Sequence, residues 1–379
     1  MKRIYWRPKG VSTNAMLVIA AISAAAIGVT EGFPEATSEV YLQQMLESSQ
    51  LANVAMNEVK KERERLRIPI EPIADPAGSG LIGVPISDIT TNTGNLLAKQ
   101  TTINPNWAAV AVQLLREAGV REGDVVAVGV SGSFPGLNIA VYSALVSMRA
   151  KAIIIASASS SQWGANHPKL LWLDMERLLF SRKIFPYRSV ATSMGGAEDR
   201  AAGLSEEGRE ILLRAMKRSK LPLIEPENYA ESVVERISLY REHAEGRPIA
   251  AYVNVGGGTS SVGTRRSKFA FKPGLNTATP PRAALIDSVM ARFLDEKVPV
   301  IHFLQINRMA QRYGLPVSPQ VRPPVGTGLV FLQQRYNPWL AGGALSTVVA
   351  ALFLFIRSGR GRMALQSARR EEEHLEPTL

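Results

Sequence analysis

The two ends of this 379-residue chain constrain it most. Residues 15–29 read AMLVIAAISAAAIGV and residues 339–356 read WLAGGALSTVVAALFLFI, with no charged residue in either run. A helix needs about 20 mainly apolar residues to cross a bilayer, and residues 11–30 and 338–356 supply that length. Lys2, Arg3, Arg7 and Lys9 precede the first run; Arg357, Arg360 and Arg362 follow the second. Basic residues beside a span mark its cytoplasmic side, so both termini are expected in the cytoplasm and the middle of the chain outside it. The expected plan is a cytoplasmic N-terminus (1–10), a transmembrane helix (11–30), an amphipathic stalk helix (36–68), an extracytoplasmic α/β domain (69–336), a second transmembrane helix (338–356) and a basic cytoplasmic tail (357–379). Ala24 and Ala26 offer an A-x-A pattern, so a cleaved signal peptide is the rival for the first run.

Composition removes several function classes. The formal charge is +11, which by itself invites nucleic acid, but the basic residues gathered at the two ends fit membrane topology better, and no nucleic-acid partner is expected. The chain contains no cysteine. That excludes disulfides, thiolate zinc sites, iron–sulfur clusters and cysteine nucleophiles. With 46% hydrophobic and 20% charged residues, the middle has enough apolar material for a packed core.

In the first part of the middle, Pro34 stops the first helix, Ser38 is a candidate cap, and Leu42, Met45, Ala52, Met56, Val59 and Leu66 recur at helical spacing. The favoured reading is a helix packed on its own domain rather than a coiled coil. Residues 69–106 are rich in Pro, Gly, Thr and Asn and read as loop and short strand. From Asn106 onward, helix and strand alternate. Short apolar strands are expected at 125–130, 152–156, 189–192, 221–224, 249–255 and 298–301. Helices are expected at 107–118, 137–149, 170–180, 205–219, 229–243, 283–294 and 305–313. This rhythm predicts an α/β fold with a largely parallel sheet and helices on both faces.

In such sheets ligands sit beyond the carboxyl ends of the strands. The residues following the expected strands are small and polar: Ser131, Gly132 and Ser133; Ser160, Ser161 and Asn166; Gly195 and Gly196; then Gly256, Gly257, Gly258 and Thr259. Glycine lets a ligand approach the backbone closely, and exposed N–H groups favour anions. These loops are the candidate binding site, for an anionic or carboxylate ligand, with Arg265, Arg266 and Lys268 able to extend a basic surface. No nucleotide motif is present, and neither cofactor nor metal is expected. Gly129-Val-Ser131-Gly-Ser133 falls one glycine short of the hydrolase elbow. Ser131 or Ser133 as nucleophile, His302 or His167 as base and Asp174 or Asp199 as orienting carboxylate are the catalytic candidates. The competing reading makes Ser131 and Ser133 helix caps and His302 a hydrogen-bonded residue at a strand end.

Four stretches carry a family likeness: Thr102-Ile-Asn-Pro-Asn-Trp107; Ser131-Gly-Ser-Phe-Pro-Gly-Leu-Asn138; Gly164-Ala-Asn-His-Pro168 with Trp172-Leu-Asp-Met-Glu176; and Val253-Asn-Val-Gly-Gly-Gly-Thr259. In this order, and with the paired terminal anchors, the chain resembles the poly-gamma-glutamate system protein family over roughly residues 90–328. The resemblance implies an accessory protein of poly-gamma-glutamate synthesis or export at the bacterial cell membrane. Its partners would be the anionic polymer or the proteins that make and export it. It implies no catalytic residue. The alternative is an extracytoplasmic serine-dependent hydrolase or transferase acting on the same polymer.

Overall fold

The computed structural model describes residues 13–35, 39–263, 269–332, 335–336 and 338–357. Ser38 and the Arg265, Arg266 and Lys268 cluster lie outside the described residues, as do the basic residues 1–12 and 358–379. The strands in chain order are β1 (Pro34–Glu35), β2 (Val125–Ser131), β3 (Lys151–Ser157), β4 (Asn166–His167), β5 (Leu170–Leu171), β6 (Ala191–Ser193), β7 (Leu223–Ile224), β8 (Ile249–Val255), β9 (Gly274–Asn276), β10 (Val300–Phe303) and β11 (Arg335–Tyr336). The helices are α1 (Thr13–Gly32), α2 (Glu39–Arg65), α3 (Leu96–Thr101), α4 (Trp107–Glu117), α5 (Pro135–Ser147), α6 (Trp172–Ser181), α7 (Glu206–Ser219), α8 (Tyr229–Ala244), α9 (Thr259–Val262), α10 (Val289–Asp295), α11 (Ile306–Arg312) and α12 (Pro338–Arg357).

The chain divides into two compact units: residues 1–39 with 333–379, and Val40–Leu332. In the second unit seven strands form one sheet in the order β7-β6-β3-β2-β8-β10-β9. Every pairing is parallel except β10 with β9, at the edge. The sequence alternates because the sheet is covered on both faces. Val126, Val128 and Val130 join a core with residues of α4, α5, α6 and α7. Val125 and Ala127 join a second core with Val233, Ile237 and Tyr240 of α8 and Phe293 of α10. Strands buried on both sides read as uninterrupted apolar runs, as Val125–Ser131 does.

The expected stalk belongs to this unit. Met45, Ala52, Ala55, Met56 and Val59 of α2 are buried in the first core, since an apolar stripe of this width needs a partner surface. Several elements depart from the sequence expectation: the helix expected at 283–294 begins only at Val289, and residues 96–101, read as loop, form α3. Leu170–Leu171 is a strand paired with Asn166–His167, and α6 begins only at Trp172. The antiparallel edge strand β9 lies in a stretch, FAFKPGLNTATPP, with no strand periodicity.

In the other unit, β1 and β11 pair antiparallel, Pro34 opposite Tyr336 and Glu35 opposite Arg335. Helices α1 and α12 pack against each other. Two transmembrane helices were expected here; the described residues contain one helix long and apolar enough to cross a membrane, Pro338–Phe355. The apolar part of α1 runs only from Met16 to Gly32, short of the roughly 20 residues a span needs. Leu345, Phe353 and Leu354 of α12 and Leu17, Val18 and Ile27 of α1 are exposed.

Candidate functional site

The strand order reverses at β2. From there the chain builds outward through β3, β6 and β7, then returns to place β8 on the other side of β2. The loops leaving β2 and β8 therefore part in opposite directions, and a crevice opens between them. A cavity of about 820 Å³ occupies this position. Its walls include Ser131, Ser133 and Phe134 after β2, and Gly257, Gly258 and Thr259 after β8. Ser157, Ser159 and Ser161 come from the end of β3, Gly195, Gly196 and Asp199 from beyond β6, and Gln305, Asn307 and Arg308 from beyond β10. The volume falls in the range of small-molecule pockets.

The sequence candidates separate into three places. Ser131, Ser133, Ser161, Gly195, Gly196, Gly257, Gly258 and Thr259 line the cavity. Gly132, Ser160, Asn166 and Gly256 stand behind the lining and hold it. The Ser160 hydroxyl donates to the Gly132 carbonyl at 3.0 Å. The fully buried Asn166 amide clamps the backbone of Val84 at 2.8 and 2.9 Å and reaches Thr90 at 3.0 Å. That clamp fixes the segment leading into Thr91–Asn95, which forms another wall. Gly256 has φ +95°, which a side chain would strain. Gly195 has φ +76°, and a Cβ there would stand 2.7 Å from Ser157 Cβ and Ser159 Oγ.

The catalytic candidates do not assemble. His302 is fully buried on β10 beside Asn254, with Nδ1 and Nδ2 3.0 Å apart, and packs edge-on to Phe271. It does not line the cavity. Asp174 lines a different cleft, where it caps the start of α6 by accepting from Leu171 N at 3.1 Å. The His167 side chain is held below its usual pKa by burial, then by Arg63 and Lys169; it too is absent from the cavity wall.

Asp199 is the one candidate carboxylate at the cavity, and it is neutralised from below. Arg236 of α8 donates to Asp199 Oδ2 from Nε at 3.0 Å and from Nη2 at 2.7 Å. Arg236 Nη2 also reaches Ser193 Oγ at 2.6 Å and Ser157 Oγ at 3.3 Å. The Ser193 and Ser232 hydroxyls donate to Asp199 at 2.7 and 2.6 Å. Burial works against the Arg236 charge, yet Asp199 and its neighbours raise the guanidinium above its ordinary pKa. Glu198, Asp199 and Ala201 have φ of +55°, +61° and +53°, a strained stretch in non-glycine residues. Opposite, the nearly buried Lys99 donates to Ser161 Oγ at 2.8 Å and to the Ser133 carbonyl, and its Nζ lies 3.9 Å over the Phe134 ring.

Lys99, Arg236, Arg308 and the Thr91–Asn95 wall were missed by sequence reasoning. For Arg236 a signal existed. It sits in the apolar stripe of α8 with Val233, Ile237 and Tyr240, and a cation in such a stripe needs a buried partner. Lys99 carries no comparable mark. It lies in a six-residue helix within a stretch read as loop.

No known protein family, no characterised protein and no solved structure matches this chain.

Proposed function

We propose that the cavity binds an anionic, carboxylate-bearing ligand and that the chain is a membrane-held accessory protein of poly-gamma-glutamate synthesis or export. One observation carries the binding reading: the charge around the cavity. Among the described residues, Lys99 and Arg308 line it as cations and Asp199 as the single anion, whose charge is offset by Arg236 directly beneath. The lining thus sets the cationic side chains of Lys99 and Arg308 over a wall of serine and threonine hydroxyls and glycine amides. Such groups give charge-assisted hydrogen bonds to a carboxylate. A serine-dependent hydrolase would need a base within hydrogen-bond reach of Ser131 or Ser133, and neither His302 nor Asp174 lines the cavity.

The membrane reading rests on α12, on the apolar residues exposed along α1 and α12 and on the basic flanks of both runs. A folded surface rarely leaves contiguous apolar side chains in water. In the proposed topology both runs span, both termini are cytoplasmic and the α/β domain is outside.

Titration calorimetry on the full-length protein in detergent micelles tests the ligand. Gamma-linked glutamate oligomers should bind, and Arg308→Ala, at an exposed position, should weaken them about tenfold, the effect of losing one charge-assisted contact. Gly257→Leu should weaken binding with the melting temperature unchanged. Unaltered affinity in both variants would remove the cavity as the site. Topology is tested by reporters: an exterior-active fusion at Ala244 should give signal and one after Arg362 should not.

A further inference from the structure

A second cleft, of about 660 Å³, lies between the end of α2, the β4–β5 hairpin, α6 and the end of α7. Its walls carry five cations, Arg65, Lys169, Arg177, Arg182 and Arg218, and two anions, Glu62 and Asp174. Five less two leaves three positive charges. Glu58, just outside the lining, pairs with Arg182 at 3.3 Å, which still leaves two. The hydrogen-bond donors are in larger excess than the charges. Asp174 alone serves Leu171 N, Arg218 at 3.1 Å and Arg177 at 3.6 Å. Each guanidinium has five N–H groups in a planar fork that matches a carboxylate. The field is felt by Glu62, whose carboxyl is held below its usual range first by its hydrogen bond from Arg65 and further by the charges of Arg182 and Arg177, against the effect of burial. Between the cations lie Leu66, Leu170 and Leu178, a ledge suited to the methylene groups of a chain.

One segment walls both sites. Ser159 and Ser161 face the cavity, while Pro168, Lys169 and Leu170 face the cleft. The eight steps from Ser161 to Lys169, at about 3.5 Å each, bound the separation of those two residues at roughly 28 Å. An extended γ-linked glutamate chain, with five backbone atoms per residue instead of three, covers that distance in roughly five residues.

We infer that the cleft is a second subsite for the polyanion entering the cavity, so that a linear chain of repeated carboxylates binds at both places once it is long enough. This rests on the cavity reading above and adds a second place of contact, reached only by a chain of several residues. Joining two weak subsites through one chain raises affinity steeply at the length that first spans them.

The test is calorimetry on the full-length protein in detergent micelles with glutamate oligomers of two to about sixteen residues, a series that brackets the span. In the wild type, affinity should rise by more than about tenfold over a narrow interval of length. The Lys169→Glu/Arg177→Glu variant, altered at two exposed positions, should lose that rise and keep the affinity of the shortest oligomers. Lys169→Glu alone, with a melting-temperature control, should lose part of it. Affinity that grows only gradually with length, or a rise that survives the double variant, would overturn the inference. If the shortest oligomers fail to bind the wild type, the cavity reading falls and the inference with it. If they bind and only the rise is missing, the cleft alone is lost.

Discussion

Beneath the cavity, the side chains of Arg236 and Asp199 are 3% and 2% exposed; in the cleft, Arg218 is 45% exposed and Arg177 52%. The chemistry is the same arginine–carboxylate pairing, and the solvent differs. Water screens the cleft pairs, so their attraction contributes little to folding and their spare donors stay available to a ligand. Water is excluded from the Arg236–Asp199 pair, so each charge depends on the other and on the hydroxyls of Ser157, Ser193 and Ser232. A buried pair of this kind adds little net stability over an apolar replacement, but losing one partner is expensive. Two glutamates repeat the contrast. Glu62, at the cleft, has its pKa lowered mainly by Arg65. Glu176, buried in α6, has its pKa raised by burial. The hydrogen bonds it accepts from Tyr142 at 2.6 Å and from the Ser189 hydroxyl at 2.6 Å only partly offset this.

The largest effect expected from this contrast comes from breaking the buried pair. Asp199→Asn should cost about 3–5 kcal/mol by leaving a buried guanidinium without its counter-charge, read as a fall in the midpoint of thermal or urea unfolding. The Arg236→Met/Asp199→Asn double replacement, which removes both charges and keeps a residue that tolerates the left-handed backbone of position 199, should recover much of that loss. A single-variant cost below about 1 kcal/mol would place the pair among solvent-screened ones and erase the contrast.

A smaller effect is expected from pH. Because Glu176 titrates above its ordinary value in the folded chain, its contribution to stability is complete below about pH 4.5 and declines as pH rises through the folded-state pKa. Glu62 has the opposite sign: its contribution is present above that value and is lost as pH falls through its lowered pKa. Melting temperatures recorded from pH 4 to 8 should converge for wild type and Glu176→Gln at the acid end. They should separate in favour of the glutamine protein as pH rises. Parallel curves would mean that burial does not govern Glu176.

The smallest effect is expected at the cleft. Arg218→Ala should change stability by less than about 1 kcal/mol, since Asp174 keeps Arg177 and the Leu171 amide. A loss as large as that of Asp199→Asn would show the cleft to be a structural network rather than an open surface.

Most of the α/β domain was legible because its signal is local. Residues 249–255 form the strand expected from their apolar run, and Ser205 caps α7 by accepting from Gly208 N at 3.1 Å, as its position before a helical pattern predicted. The sheet's parallel character followed from short apolar strands alternating with helices, which needs only the periodicities of the two backbones. The small residues after each strand were readable too, and eight of the expected site residues line one cavity. What the sequence determined by itself is therefore the kind of sheet and the chemical character of its loops. The tertiary structure decided which loops meet. The reversal of strand order beside β2 sets the loops of β2 and β8 against each other, and that order depends on long-range pairing no local pattern encodes. The same long-range packing sends Asp174, in the helix expected at 170–180, to the cleft, and sends His302, just after an expected strand, into the core. It also brings Lys99 from a stretch read as loop to the cavity wall. Arg236 lies between the two cases: its place on an apolar stripe was visible, but its partner 37 residues away in the chain was chosen only when helix α8 packed beneath the loop after β6.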